Sequence, residues 1–123
     1  MPGLLNLKRG TADSSDTALV VEVASGDGAI AIPDRGKKFV FITKGSAAAL
    51  TLGTPTTAQN GVEIDIISTT AYAHTIQAAT IGFNDGGAAS DVCTFSAAKG
   101  NRLCVVAYAG DWWVMDNING TLA

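Results

Sequence analysis

His74, in "AYAHTIQ", is the only histidine among 123 residues, and Cys93 and Cys104 are the only thiols. Nucleophilic catalysis needs a base beside a nucleophile, with an acid to orient the base. No G-x-S-x-G elbow is present, and both cysteines fall inside apolar runs that predict buried strand positions. His74 is therefore expected to be a strand-end histidine bonded to backbone. The segment "TFSAAKGNRL" centres on Ala98 and Lys99, so a hairpin folded there sets Cys93 opposite Cys104. A disulfide fits that spacing, but cross-strand bridges are often strained and cytosolic folding keeps thiols reduced. Two buried free thiols are the expectation. One histidine and two cysteines at these intervals match no zinc pattern.

Asp85, Asp91, Asp111 and Asp116 sit near turns. A glycosidase places two carboxylates across one bond, but nothing in the sequence pairs these, and turn aspartates usually bond their own backbone. "FNDGGAASD", residues 83–91, lacks the D-x-D-x-D-G spacing and distant glutamate of a calcium loop. "GDG" and "NDGG" lack the strand–loop–helix setting and the Lys-Ser/Thr ending of a phosphate loop. No metal or cofactor is expected. Trp112 and Trp113 are adjacent on a predicted strand, so one indole points inward and the other outward. The outward ring suits a subunit contact, since interfaces are enriched in Trp; a sugar-stacking platform is the alternative.

The elements that must position these groups are strands. "TALVVEV", "GAIAIP", "KFVFIT", "AALTL", "GVEIDIIS", "AHTIQA", "DVCTF", "RLCVVAY" and "WWVMD" alternate with period two and favour β-branched and aromatic residues. In "GVEIDIIS", Val62, Ile64 and Ile66 are expected inside, with Glu63 and Asp65 facing water. Asp27-Gly28, Asn60-Gly61, Asp85-Gly86 and Asn119-Gly120 supply turns, and Pro33 and Pro55 end strands. "YAGDWW" predicts a tight hairpin at Gly110, and "SAAAL" at most one helical turn. The fold class is all-β: a compact antiparallel sandwich, jelly-roll-like, or a small barrel of about eight to ten short strands. Residues 17–123 form one β domain. Residues 1–16 form an N-terminal arm, either frayed or docking Leu4, Leu5 and Leu7 on a neighbouring subunit.

Charged residues make up only 15% of the chain, against about 25% in ordinary globular proteins. A surface poor in long charged side chains loses little entropy and hydration when another protein covers it, which favours an assembly component. Net charge is −3, and no basic cluster offers itself to phosphates, so nucleic acid is not an expected partner. No apolar run approaches the ~20 residues that span a bilayer, and "MPGLLNLKRG" is too short and too weakly apolar for a signal peptide. Folding in the cytoplasm, with no membrane partner, is expected.

Taken in order, "DGAIAIP", "KFVFITKGSAAALTLGTPT", "NGVEIDIISTTAYAHTIQA", "TFSAAKGNRLCVVAYAGDWWVM" and the closing "NING" resemble small β-rich virion proteins of tailed bacteriophages. These are capsid decoration (cement) proteins or modules of head and tail fibres. The resemblance covers residues 26–120 and lies in a repeated style rather than a reactive motif. It implies a non-enzymatic structural protein, without cofactor, that trimerises and binds the major capsid protein on the virion after folding in the bacterial cytoplasm. Decoration proteins often clamp the shell with a short arm; Leu4, Leu5, Leu7, Lys8 and Arg9 are the residues here for that part, although no residue-by-residue match supports it. Tyr108 with Trp112 or Trp113 is expected at the trimer contact. A start at Met1 without shaft, heptads or collagen-like repeat favours decoration over fibre. The alternative is a receptor- or carbohydrate-binding module using Trp112, Trp113, Tyr72 and the loop 82–91.

Overall fold

The computed structural model describes residues 20–78 and 81–123. The expected arm, with Leu4, Leu5, Leu7, Lys8 and Arg9, lies outside the described residues. The chain is all-β, as its alternation predicts. Ten strands are described: β1 (Val20–Ala24), β2 (Gly28–Ile30), β3 (Lys37–Ile42), β4 (Ala49–Leu52), β5 (Glu63–Ser68), β6 (Thr75–Ala78), β7 (Val92–Phe95), β8 (Arg102–Tyr108), β9 (Asp111–Ile118) and β10 (Gly120–Leu122). They form two five-stranded sheets, one ordered β9-β8-β5-β3-β1 and the other β10-β7-β6-β4-β2. It is an open sandwich rather than a closed barrel.

Each sheet receives one strand from each of five stacked layers. The first three layers, β1–β2, β3–β4 and β5–β6, run in the same direction, so their strands pair in parallel. The fourth, β7–β8, retraces the third backwards, and the fifth, β9–β10, reverses again; these pairs are antiparallel. The pairing is thus mixed, which corrects the antiparallel expectation. Most of the turns that the sequence marks are arches that carry the chain from one sheet to the other. Only β6–β7 and β8–β9 pair with their neighbours in sequence among the described strands.

The inward positions fill the space between the sheets. Val40, Ile42, Ile64, Ile66 and Leu103 of the first sheet meet Leu50, Leu52, Ile76 and Phe95 of the second, all essentially solvent-free. Fully burying one such side chain contributes roughly 1.5–3 kcal/mol. Lys38 breaks the apolar rule: its stem points inward and its ammonium is held by Glu22 and the Ala31 carbonyl. In the β1–β2 arch, Asp27 ties the first layer to the second, accepting from the Ala49 amide at 2.9 Å and Lys44 Nζ at 2.8 Å.

The β8–β9 hairpin forms at the predicted place. Tyr108 pairs with Asp111, and Ala109 and Gly110 both take positive φ, 54° and 77°. That is the two-residue turn whose twist suits a hairpin. The segment 46–50 holds no helical turn; the short 3-10 turns are Thr57–Gln59 and Gly87–Ser90. The expected hairpin between Cys93 and Cys104 is also absent. β7 and β8 lie in different sheets, Cys93 points into the core, and Cys104 points to the opposite side of its own sheet. Both thiols are free and buried.

Candidate functional site

The two outer faces of the sandwich differ sharply in chemistry. On the second sheet the outward positions are small or uncharged. Thr75, Thr94 and Thr121 align across β6, β7 and β10, and Thr51 aligns with Gln77. None of the five strands of that sheet carries a charged residue.

The first sheet turns large apolar side chains outward at both of its borders. On the β1 border, Val21 is 57% and Val23 61% exposed, and they stand beside Phe39 and Phe41 of β3. The two phenyl rings stack with centroids 6.2 Å apart, and Lys37 Nζ lies 5.0 Å from the Phe39 centroid. On the β9 border, Trp113, Met115 and Ile118 are exposed. Met115 sits in a β-bulge between Val114 and Asp116, which turns an additional side chain onto the surface.

Between these borders lies a cluster of charges. Arg102 grips Asp65 with two bonds, Nε to Oδ1 at 2.8 Å and Nη2 to Oδ2 at 2.7 Å. Its Nη1 donates to Asp116 Oδ2 at 2.6 Å. Asp65, expected to face water, does point outward, but this clasp buries it to 2% exposure. The paired carboxylate raises the Arg102 pKa still further above its ordinary value. Lys37 and Glu63, at 3.9 Å, form a looser pair on the same face.

The tryptophan pair divides as expected. Trp112 is wholly buried and its Nε1–H donates to the Gly53 carbonyl at 2.7 Å. Trp113 is outward, its Nε1–H donating to the Tyr108 carbonyl at 3.1 Å. Tyr108, exposed at the hairpin, and Trp113 are therefore neighbours, while Trp112 belongs to the core. Tyr72 follows the far end of β5, and Trp113 lies level with Glu63 at its near end. The two exposed rings therefore lie toward opposite ends of the sandwich. The loop 82–91 folds onto the sandwich, with Phe83 fully buried and bridged to Trp112.

His74 is fully buried. Nδ1 accepts the Ala48 amide hydrogen at 2.9 Å, which leaves the ring proton on Nε2, facing Thr70 Oγ1 at 2.9 Å. Thr70 in turn donates to the Lys44 carbonyl at 2.8 Å. Burial lowers the imidazole pKa below 6.5, partly opposed by the bond that Nε2–H also makes to the Thr70 carbonyl. Of the turn acids, Asp116 serves Arg102, and Asp111 Oδ1 accepts from the Trp112 amide at 2.7 Å. Among the described residues no group of three or more His, Cys, Asp or Glu is placed to hold a metal ion. A cleft of about 310 Å³ lies at the β1–β2 end of the stack, lined by Glu22, Val23, Asp27 and Leu50 among others.

The bordered apolar face is what sequence reasoning missed. Its signal lies in "FVFI" of β3, where both faces of the strand read apolar, and in the valines of "VVEV". Continuous apolar character marks a strand covered on both sides, yet the outer side here is open. No protein-family model matches the chain, and no curated protein matches it.

Proposed function

We propose that the protein is a capsid decoration protein of a tailed bacteriophage, acting as a homotrimer that binds the major capsid protein on the mature shell. The observation that carries this reading is the contrast between the two outer faces: one bordered by exposed Val21, Val23, Trp113 and Met115, the other free of charged strand residues. The apolar borders of the first face and the uncharged second face are surfaces that another protein covers at low desolvation cost. The resemblance to phage virion proteins supplies the assembly in question. A ligand that recognises only the expanded lattice stabilises that lattice by mass action, by about 2.7 kcal/mol at a hundredfold excess over Kd. Three equivalent attachments per trimer multiply weak contacts through effective concentration. The protein is assigned to the virion surface, assembled in the host cytoplasm, with a binding rather than an enzymatic role.

The test is co-sedimentation of purified protein with expanded and unexpanded shells. Saturable binding to the expanded form, with a raised melting temperature of the shell, supports the proposal; equal binding to both forms, or none, refutes it. The rival module reading depends on Trp113, because Trp112 is in the core and Tyr72 stands apart. Glycan binding abolished by Trp113→Ala would favour it.

A further inference from the structure

We infer that three copies of this chain associate through the outer face of the first sheet, the β1 border of each packing on the β9 border of the next. The inference rests on the trimeric reading above and deepens it by naming the surface. Three observations carry it. First, apolar exposure on this sheet is concentrated at opposite borders, Val21 and Val23 on one and Trp113, Met115 and Ile118 on the other, with Asp65 and Arg102 between them and Asp116 on the β9 border itself. A head-to-tail contact uses two different patches of the same molecule, and two such patches are present.

Second, the charges need no foreign partner. Arg102 is satisfied by Asp65 and Asp116, and Lys37 by Glu63. Each of these charges thus has a partner within the chain, and the one negative charge in excess, two carboxylates on one guanidinium, has to stay in water, since burying it would be costly. The complement it requires is apolar, and the opposite border of another copy supplies that.

Third, the dimensions suit three walls. With strands about 4.8 Å apart, a five-stranded wall is roughly 24 Å wide, and three such walls closed into a prism leave the axis about 7 Å from each wall's centre. Outward side chains of packed sheets reach about 5 Å. The borders therefore interdigitate at the corners, while Asp65 and Arg102, near the wall centre, keep room for water along the axis. Two faces packed directly at about 10 Å would press those charge clusters together. In the prism the uncharged threonine face of the second sheet becomes the outside.

Light scattering on the full chain, with and without substitutions, tests this. The wild type should have three times the chain mass. Val23→Lys and Ile118→Glu, both at exposed positions that the sheet register sets level with one another, should each give monomers with unchanged far-UV circular dichroism. The double variant should restore the trimer by placing the new lysine against the new glutamate across each contact. Thr51→Lys, on the opposite face, should leave the trimer intact. A monomeric or dimeric wild type, a trimer that survives both single substitutions, or one dissociated by Thr51→Lys overturns the inference. A shell-binding trimer that survives both single substitutions would overturn this inference alone; a trimer that binds no shell would overturn only the decoration reading.

Discussion

His74 Nδ1 accepts the amide hydrogen of Ala48 at 2.9 Å, and the two residues stand 26 positions apart, at equivalent points of adjacent layers. Thr70 and Lys44 are also 26 apart, and there the Thr70 hydroxyl donates to the Lys44 carbonyl at 2.8 Å. At this arch the backbone has left the sheet ladder, and side chains of one layer supply the bonds that strands supply elsewhere. A buried amide left without such a partner costs about 1–3 kcal/mol.

The His74 bond dictates a pH dependence. Nδ1 can accept from Ala48 only while it carries no proton, and burial lowers the pKa of the folded state below 6.5. As pH falls through the unfolded value, the unfolded chain takes up a proton that the folded chain resists, so stability declines. It is fully present above about pH 6.5 and is lost progressively below that, until the folded pKa is reached. Urea unfolding between pH 8 and pH 5 should show this slope. His74→Ala should abolish it in that window and lower stability at pH 8 by about 2–4 kcal/mol, from the cavity and the orphaned amide.

The two tryptophans should behave as different probes. Trp112→Phe removes the donor to the Gly53 carbonyl and shrinks a fully buried side chain, for a loss of about 1–3 kcal/mol in chemical denaturation. Trp113→Phe should change the stability of the isolated protomer by less than about 0.5 kcal/mol, as exposed substitutions do. Iodide should quench Trp113 emission in a monomeric variant such as Val23→Lys and leave Trp112 emission nearly untouched.

Within the central charge cluster, the two acids should be unequal. Asp65 is buried and makes both bonds of the bidentate clasp, whereas Asp116 is largely solvated. Arg102 remains about one-third exposed, so water screens part of any loss. Asp65→Asn should cost about 1–2 kcal/mol, and Asp116→Asn less than about 0.5 kcal/mol. Equal losses in thermal unfolding at matched salt would contradict this ordering.

Much of this architecture was legible at the level of single strands. Alternation placed Val62, Ile64 and Ile66 inside, separated Trp112 from Trp113, and located the hairpin at Ala109-Gly110. Pairing was not legible, because Asp27-Gly28 and Pro33 mark a reversal equally well whether the chain returns to its own sheet or arches to the other. The usable signal was the offset of 26 that relates "KKFVFI" to "EIDIIS" and "ALTL" to "TIQA". It is masked where Lys38 occupies the inward position that Ile64 takes in the next layer; Glu22, from the layer before, makes that lysine tolerable. The open apolar borders were hidden for a similar reason. Outward Phe39 pairs with Asp65 in the next layer, so the apolar character of the outer face breaks off at the central strand.

The thiols and the last glycine form a final test of the packing. Cys93 is pushed up to about 11 by burial, and burial raises Cys104 as well. Since the thiolate is the reactive form, a chromogenic disulfide reagent at pH 8 should titrate neither thiol in the native protein and both in denaturant. Mild oxidation should form no bridge within the chain, because Cys93 points to the core and Cys104 to the outer face. Gly120 is the other half of this arrangement: a Cβ there would lie 2.6 Å from Cys93 Sγ and 2.6 Å from Asn117 Oδ1. Gly120→Ala must displace one of them, the packed sulfur or the side chain that accepts the Gly120 amide at 2.9 Å. A loss of about 1–3 kcal/mol is expected from such overpacking. Cys93→Ala should recover part of it in the double variant, and purely additive losses would place the strain at Asn117 instead.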